Sequence, residues 1–330
     1  LHLVGTPQEI LTWAREYLQI TFLGMVFLFG YNFISTVLRS LGDSKTPLRF
    51  VTAAVLLHVI LVPVFIHTFG LGIQGAAYAT VLSQGFAFLY GLIHVLRRRL
   101  APLQLPRLPT WSETRTILNL GIPSGLQMAV ISGGSAAIMS VVTNFGADVV
   151  GGFSAAQRLD RLIMLPAQAL GIAASSMAGQ NIGRRNWPRV MEISRVTVLY
   201  NLAITVTIAL LMVLLAGPLI RLFIQEPEAA SFGADYLRTV ALFYPFLGIN
   251  FVLNGVVRAS GAMYQVLVLN VISFWVLRYP LTALFTYFAD ESGLALGMGV
   301  SFVISSLFAY LYFRFGGWRD KQLFDEPVRR

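Results

Sequence analysis

The chain has no cysteine among its 330 residues, so disulfide and thiol chemistry are excluded and the redox compartment leaves no trace in it. It is also poor in charge, with 12% Asp, Glu, Lys and Arg together. An average soluble domain carries about 25%. Only 15 residues are acidic and four are histidine, which leaves few groups for acid–base chemistry. No phosphate-cradling glycine loop, nucleophile elbow or pair of catalytic carboxylates in a soluble stretch is present, so the sequence does not read as an enzyme. No histidine or carboxylate lies at ligand spacing from His58, so no metal site is assigned. What the chain has instead is apolar residues, at 56%, and a mean hydropathy of +0.71. The bilayer is therefore its expected solvent.

The net charge of +9 would raise nucleic acid as a partner in a soluble protein. Here the basic residues fall in short loops between apolar runs, so topology explains them and no nucleic acid is expected. Nine stretches satisfy the roughly 20 apolar residues a crossing helix needs. They lie at about 19–38, 50–69, 75–95, 117–142, 149–179, 194–216, 239–257, 265–289 and 294–313. With nine crossings, Arg39, Lys45, Arg49, the Arg97–Arg99 run, Arg107, Arg115, Arg184, Arg185, Arg189, Arg195, Arg258 and the basic residues after 313 share one side. The other side holds Arg15, Arg221 and Arg238. The positive-inside rule makes the basic side cytoplasmic, together with the C-terminus.

The chain also repeats itself. Tyr17-Leu18 and Arg39-x-x-Gly42 recur as Tyr236-Leu237 and Arg258-x-x-Gly261, 219 positions on without a gap. VLSQGFAFLY at 81–90 recurs as VISSLFAYLY at 303–312. A repeat built from apolar spans is the sequence mark of many transporters. The fold expected is an all-α membrane protein of helical bundles, with two parallel six-helix repeats and about nine transmembrane helices. The front repeat would be incomplete, lacking three spans before residue 1. Its parts are a partial bundle at 1–96, a proline-rich cytoplasmic linker at 97–114, a six-helix bundle at 115–316 and a tail at 317–330.

These residues resemble the multidrug and toxic compound extrusion (MATE) family of efflux transporters. LRSLGDSKTP at 38–47 is similar to that family's loop after helix four, LNLGIPSGLQ at 118–127 to its seventh helix, and RLDRLIMLPAQALGIAASSMAGQNIG at 158–183 to its eighth. The resemblance spans the whole chain, over helices four to twelve. It implies alternating access in the cell membrane, with the bacterial inner membrane expected, and export of a cationic or amphiphilic small molecule coupled to H⁺ or Na⁺ entry without a cofactor. A monomer is expected. Two alternatives stand beside it: a flippase for lipid-linked oligosaccharides from the same superfamily, and an inactive truncated membrane protein.

Ionisable groups inside a span are functional candidates by default. Asp160 is the acid well inside a span, with Gln157, Arg158, Arg161 and Gln168 on the same helix. It reads as an ion or cation site, or as one half of an ion pair. At about 100° per residue Asp160 reaches Arg161 or a neighbouring helix. Two arginines so close favour the ion pair. Arg278 stands mid-span before Pro280 and can bond freed carbonyls, pair with Asp160 or face cargo, and a structural role is favoured. His58 reads as a packing residue before a proton relay. Pro123, Pro166 and Pro280 mark candidate bent or gating helices. Gln127, Asn144, Asn201, Asn250 and Asn254 read as helix glue, with Gln127 also a substrate candidate, and Phe243, Tyr244 and Phe246 as lipid-facing or cavity aromatics. Arg39/Gly42 and Arg258/Gly261 read as structural turns.

Overall fold

A computed structural model describes residues 8–100 and 108–321. The middle of the linker and the tail beyond 321 lie outside the described residues, and with them Arg107, Arg329 and Arg330. The chain divides into two compact units, Leu1–Arg107 and Leu108–Arg330. Both are helical, and no strand occurs among the described residues.

In the first unit α1 (Gln8–Leu23) and α2 (Met25–Ser40) form one bent rod, and α3 (Lys45–Pro63) continues into a π-helical turn, Val64–Thr68. α4 (Gly72–Arg97) packs on α1, α2 and α3. In the second unit, α5 is Trp111–Val142, α6 Ala147–Ile163, α7 Leu165–Gly183 and α8 Trp187–Arg221. α9 (Pro227–Ala241) and α10 (Tyr244–Ala259) follow, then α11 (Met263–Val271), a π-helical segment (Ile272–Arg278), α12 (Tyr279–Ala289) and α13 (Gly293–Phe315).

Among the described residues five helical stretches are long and apolar enough to cross a bilayer, and three bent pairs count as one crossing each. The longest stretch, Met263–Phe315, folds back at Asp290, which has φ 47° and ψ −139°. Its two limbs are antiparallel. Gly297 lies against the Leu281 carbonyl, Ser301 meets Arg278, and Ser305 meets Ser273 at 2.7 Å. The stripe Gly293, Gly297, Ser301, Ser305 recurs every four residues, which places small side chains on one helix face and lets the limbs touch. Counted as two limbs, this hairpin restores the nine segments expected from the sequence. The outer faces suit lipid, with Val26, Phe29, Leu210 and Leu214 all largely exposed.

The repeat returns as local geometry. The first rod bends by 44° at Gly24 and α9–α10 bends by 56° around Phe243, 219 positions later. Gly42 and Gly261 both have positive φ, 92° and 84°. Each donates its N–H to the arginine three residues back, to Arg39 O at 3.1 Å and Arg258 O at 3.0 Å. Only glycine enters that left-handed region without steric cost. Asp43, beside the first turn, caps α3 by accepting from the Lys45 and Thr46 N–H groups.

Three expectations need correction. The spans placed at 19–38 and 239–257 are the inner parts of longer bent rods, which begin at Gln8 and Pro227. α9 escaped a hydropathy reading because it carries Glu228, Asp235 and Arg238, while its other face buries Ala229, Ala230, Gly233, Ala234, Tyr236 and Leu237. The span at 149–179 is two helices meeting at 40°. By contrast α5 runs as one continuous helix through Pro123.

The rods cross at glycines. A Cβ on Gly171 would meet the Phe251 carbonyl at 2.8 Å, and one on Gly255 would run into the Gly171 carbonyl. Gly255→Ala is expected to lower stability by about 1–3 kcal/mol, because backbone rather than a movable side chain stands in the way. Gly121→Ala, with nothing within 4 Å, should be neutral or mildly stabilising. Thermal unfolding in detergent measures both. Hydrogen bonds from Thr46, first from its side chain and then from its backbone, hold the Asp43 carboxyl below its usual value. A depressed folded pKa contributes stability above the unfolded value, about 3.9, and loses it as pH falls through the folded one. The melting curves of the wild type and Asp43→Asn should therefore converge at acid pH.

Candidate functional site

The second unit brings its two bent rods together break to break. α6 ends at Ile163, and the Met164 N–H returns to the Asp160 carbonyl at 3.0 Å. α7 then starts with Pro166 in its first turn, where the missing N–H costs nothing. α9 ends at Ala241 and α10 starts at Tyr244, with Pro245 in the same favoured position. α6 packs on α9 and α7 packs on α10. On one arm a Cβ on Gly233 would meet the Gly152 carbonyl at 2.8 Å, and Gly171 and Gly255 do the same on the other.

Where the breaks meet, the Tyr244 hydroxyl donates to Asp160 Oδ1. Tyr244 is 1% exposed and Asp160 half-buried. Both Arg158 and Arg161 are exposed, and among the described residues no arginine lies within 4.0 Å of Asp160. The ion pair favoured from the sequence is thus replaced by a neutral donor from another helix. The physical reason is the break itself. α6 stops three residues past Asp160, so Arg161 turns outward while the carboxylate meets the start of α10.

Tyr236, on α9, is buried, with its ring against Phe153 at 5.1 Å and its hydroxyl on Met298 Sδ at 3.2 Å. It lies within coulombic range of both Asp160 and Arg278. Arg278 is buried in the hairpin, 8% exposed. Its guanidinium carbon stands 3.9 Å from the Phe274 ring centre and 4.7 Å from that of Phe302, and Nε reaches Ser301 Oγ at 3.4 Å. Two aromatic faces thus replace a counter-ion. The π-helical segment ends at Arg278, directly before Tyr279 and Pro280, so its widened turn takes up the missing proline N–H.

Gln157 is half-buried one turn before Asp160. Gln127, on α5, is half-buried, and His58 belongs to the first unit. Asn201 joins α8 to α7 by donating to the Ala167 carbonyl at 3.0 Å. The reading of Tyr244 as a lipid-facing or cavity aromatic is overturned by its burial, and Phe243 packs on Gly299. In the sequence Tyr236 stands out only as part of the repeat. Pro245, which places a helix start at Tyr244, is the one local signal that could have singled that residue out.

A cavity of about 480 Å³ opens at the end of this unit where α6, α9 and α13 begin. Tyr236 lines it together with the carboxylates Asp148, Glu228, Asp235 and Glu291. Asp235 also holds Arg238 at 2.8 Å. Tyr236 therefore lines this acid-rich opening and also stands near Asp160.

Asp160→Asn keeps an acceptor for Tyr244 and should change stability little. Tyr244→Phe leaves the carboxylate without a donor and should cost about 1–3 kcal/mol. In the double variant the effects should fall short of additive, a coupling that thermal unfolding of the four proteins measures.

The sequence profile of the MatE family matches residues 1–64 and 123–284. The chain is 57% identical over 326 residues to the Bacillus subtilis "Probable multidrug resistance protein YpnP", covering 99% of this chain and 73% of that one. It is 30% identical to "Probable multidrug resistance protein YoeA" of the same organism, over 98% and 72%. Among solved structures, the bent form of the Vibrio cholerae MATE transporter VcmN superposes with a TM-score of 0.91 at 23% identity, covering 98% of this chain and 74% of that one. The fold is therefore that of a known transporter, and this chain belongs to the MATE family of multidrug efflux transporters.

Proposed function

We propose that the chain exports cationic or amphiphilic small molecules across the cell membrane in exchange for H⁺ or Na⁺, and that Asp160 carries the coupling ion in its second unit. The observation that supports this is a carboxylate inside the bundle with no arginine within ion-pair distance among the described residues, held by the Tyr244 hydroxyl. A carboxylate paired with arginine stays ionised, whereas one bonded only to a tyrosine can take up a proton or a cation without breaking a salt bridge. Its position at two helix breaks gives uptake a mechanical consequence. Protonation or cation binding changes what Tyr244 is bonded to, and Tyr244 is the first residue after the 56° bend. The acid-lined cavity reaching Tyr236 offers a route by which cations approach from that end. On the expected topology that end is outside and the C-terminus is cytoplasmic, in the inner membrane of a bacterium. A monomer suffices, since the proposed site draws on one unit alone.

Anionic cargo, as a flippase for lipid-linked saccharides would carry, finds less support. The arginine that would have recognised a phosphate is enclosed between Phe274 and Phe302.

Ethidium efflux from vesicles carrying this protein, driven by a pH gradient or by a Na⁺ gradient in turn, tests the proposal. Efflux is expected under one gradient and should drop at least tenfold in Asp160→Asn while the fold is retained. Unchanged efflux in that variant would remove Asp160 from coupling. Efflux under neither gradient would end the proposal.

A further inference from the structure

The end of the second unit opposite the acid-lined cavity is basic, and there the segment after α13 is locked onto the start of α8. Gly317–Asp320 form one short 3₁₀-helix. Trp318 within it is fully buried. Its ring stacks on Phe313 at 5.3 Å and meets Trp187 of α8 edge-on at 6.0 Å. Its N–H donates to the Phe313 carbonyl at 2.8 Å, one of the groups that a helix C-terminus leaves without an intrahelical donor. This anchor fixes Arg319. Its guanidinium carbon lies 5.4 Å from the Trp318 ring centre, and Nη2 reaches Met191 Sδ at 3.5 Å.

From that contact α8 continues toward the apolar region. Met191, Arg195 and Leu199 follow one another at four-residue steps, so they lie along one side of the helix. Arg195 therefore stands one turn, about 5.4 Å, beyond the side chain that Arg319 touches. Among the described residues no carboxylate lies within 4.0 Å of Arg195 or Arg319. Of the acids nearby, Glu192 is held by Arg189 at 2.7 Å, and Asp320 makes no ion pair among the described residues. Arg184 and Arg185, exposed in the turn before α8, add charge of the same sign. Beyond Arg195 the surface turns apolar at once, with Val196, Leu199 and Tyr200 exposed by 43%, 59% and 64%.

From this juxtaposition we propose that an anionic phospholipid binds here, with its phosphate between Arg195 and Arg319 and its acyl chains along the apolar strip that begins at Leu199. Two like charges one helix turn apart repel each other, and an anion between them removes the repulsion. A guanidinium meets a phosphodiester with paired hydrogen bonds, and Arg319 is already held in place by Met191 and Trp318. The apolar strip selects lipid over a soluble phosphate, which would satisfy the arginines and leave Leu199 and Tyr200 uncovered. A zwitterionic lipid brings its own ammonium to the same place and gains less. The bound lipid ties α8 to the segment after α13, so it stabilises the second unit whatever the chain exports.

Native mass spectrometry of the full chain, titrated with phosphatidylglycerol or with phosphatidylcholine of the same acyl chains, tests it, alongside thermal unfolding in nanodiscs of each lipid. Phosphatidylglycerol should bind in preference and raise the melting temperature. Arg195→Gln/Arg319→Gln should bind it about tenfold more weakly and melt at the same temperature in both lipids. Arg195→Lys/Arg319→Lys should keep part of the preference, since an ammonium attracts phosphate without the paired bonds. Arg97→Gln/Arg98→Gln removes as much charge from the first unit and should keep all of it. Inorganic phosphate should neither raise the melting temperature nor displace the lipid. Equal binding of the two lipids by the wild type would overturn the proposal. So would an equal loss in the Arg97/Arg98 variant, or a stabilisation by inorganic phosphate that matches the lipid's.

Discussion

The second unit is organised around one hydrogen bond, from the Tyr244 hydroxyl to Asp160. A bilayer supplies no water to broken helices, so every interruption must be satisfied by protein. α6–α7 and α9–α10 solve this by breaking at the same level and facing each other. The glycine contacts at 152/233 and 171/255 bring the arms close enough for the break residues to meet. Asp160 and Tyr244 occupy the crossing, so the carboxylate is a structural partner there and, under the proposed coupling, the group that would meet an arriving cation. Site and bend would then be one feature, with a helix break directly beside the ion.

Arg278 has a related solution with the opposite sign. Its charge sits between two rings inside the α12–α13 hairpin, with a serine as its hydrogen-bonding partner. The hairpin closes because small residues recur every four positions on α13, and the π-helical segment gives Pro280 room. Asp160 and Arg278 therefore form no ion pair with each other, and Tyr236 stands near both. A direct ion pair would have locked the bundle.

The duplicated architecture was legible in the chain because a bilayer imposes coarse, one-dimensional demands. Apolar runs, basic loops and the 219-residue repeat are all read along the sequence, and the recurrence of positive φ at Gly42 and Gly261 follows from the repeated Arg-x-x-Gly. α9 was less legible, because a hydropathy window averages its charged face with its buried one. The bend at Pro166 and the break at Pro245 obey local proline chemistry, yet Pro123 obeys the same chemistry without interrupting its helix. What surrounds a proline decides whether its helix breaks.

The sequence alone determined the solvent, the helical segments, the repeat and the short list of buried ionisable residues, because each of these depends on composition, or on order over at most a few turns. It could not determine their partners. Asp160 has two arginines within three residues and a tyrosine 84 positions away, and sequence proximity favours the arginines. The tertiary structure chose the tyrosine, because a helix break directs the carboxylate across to α10 and leaves Arg161 on the outside.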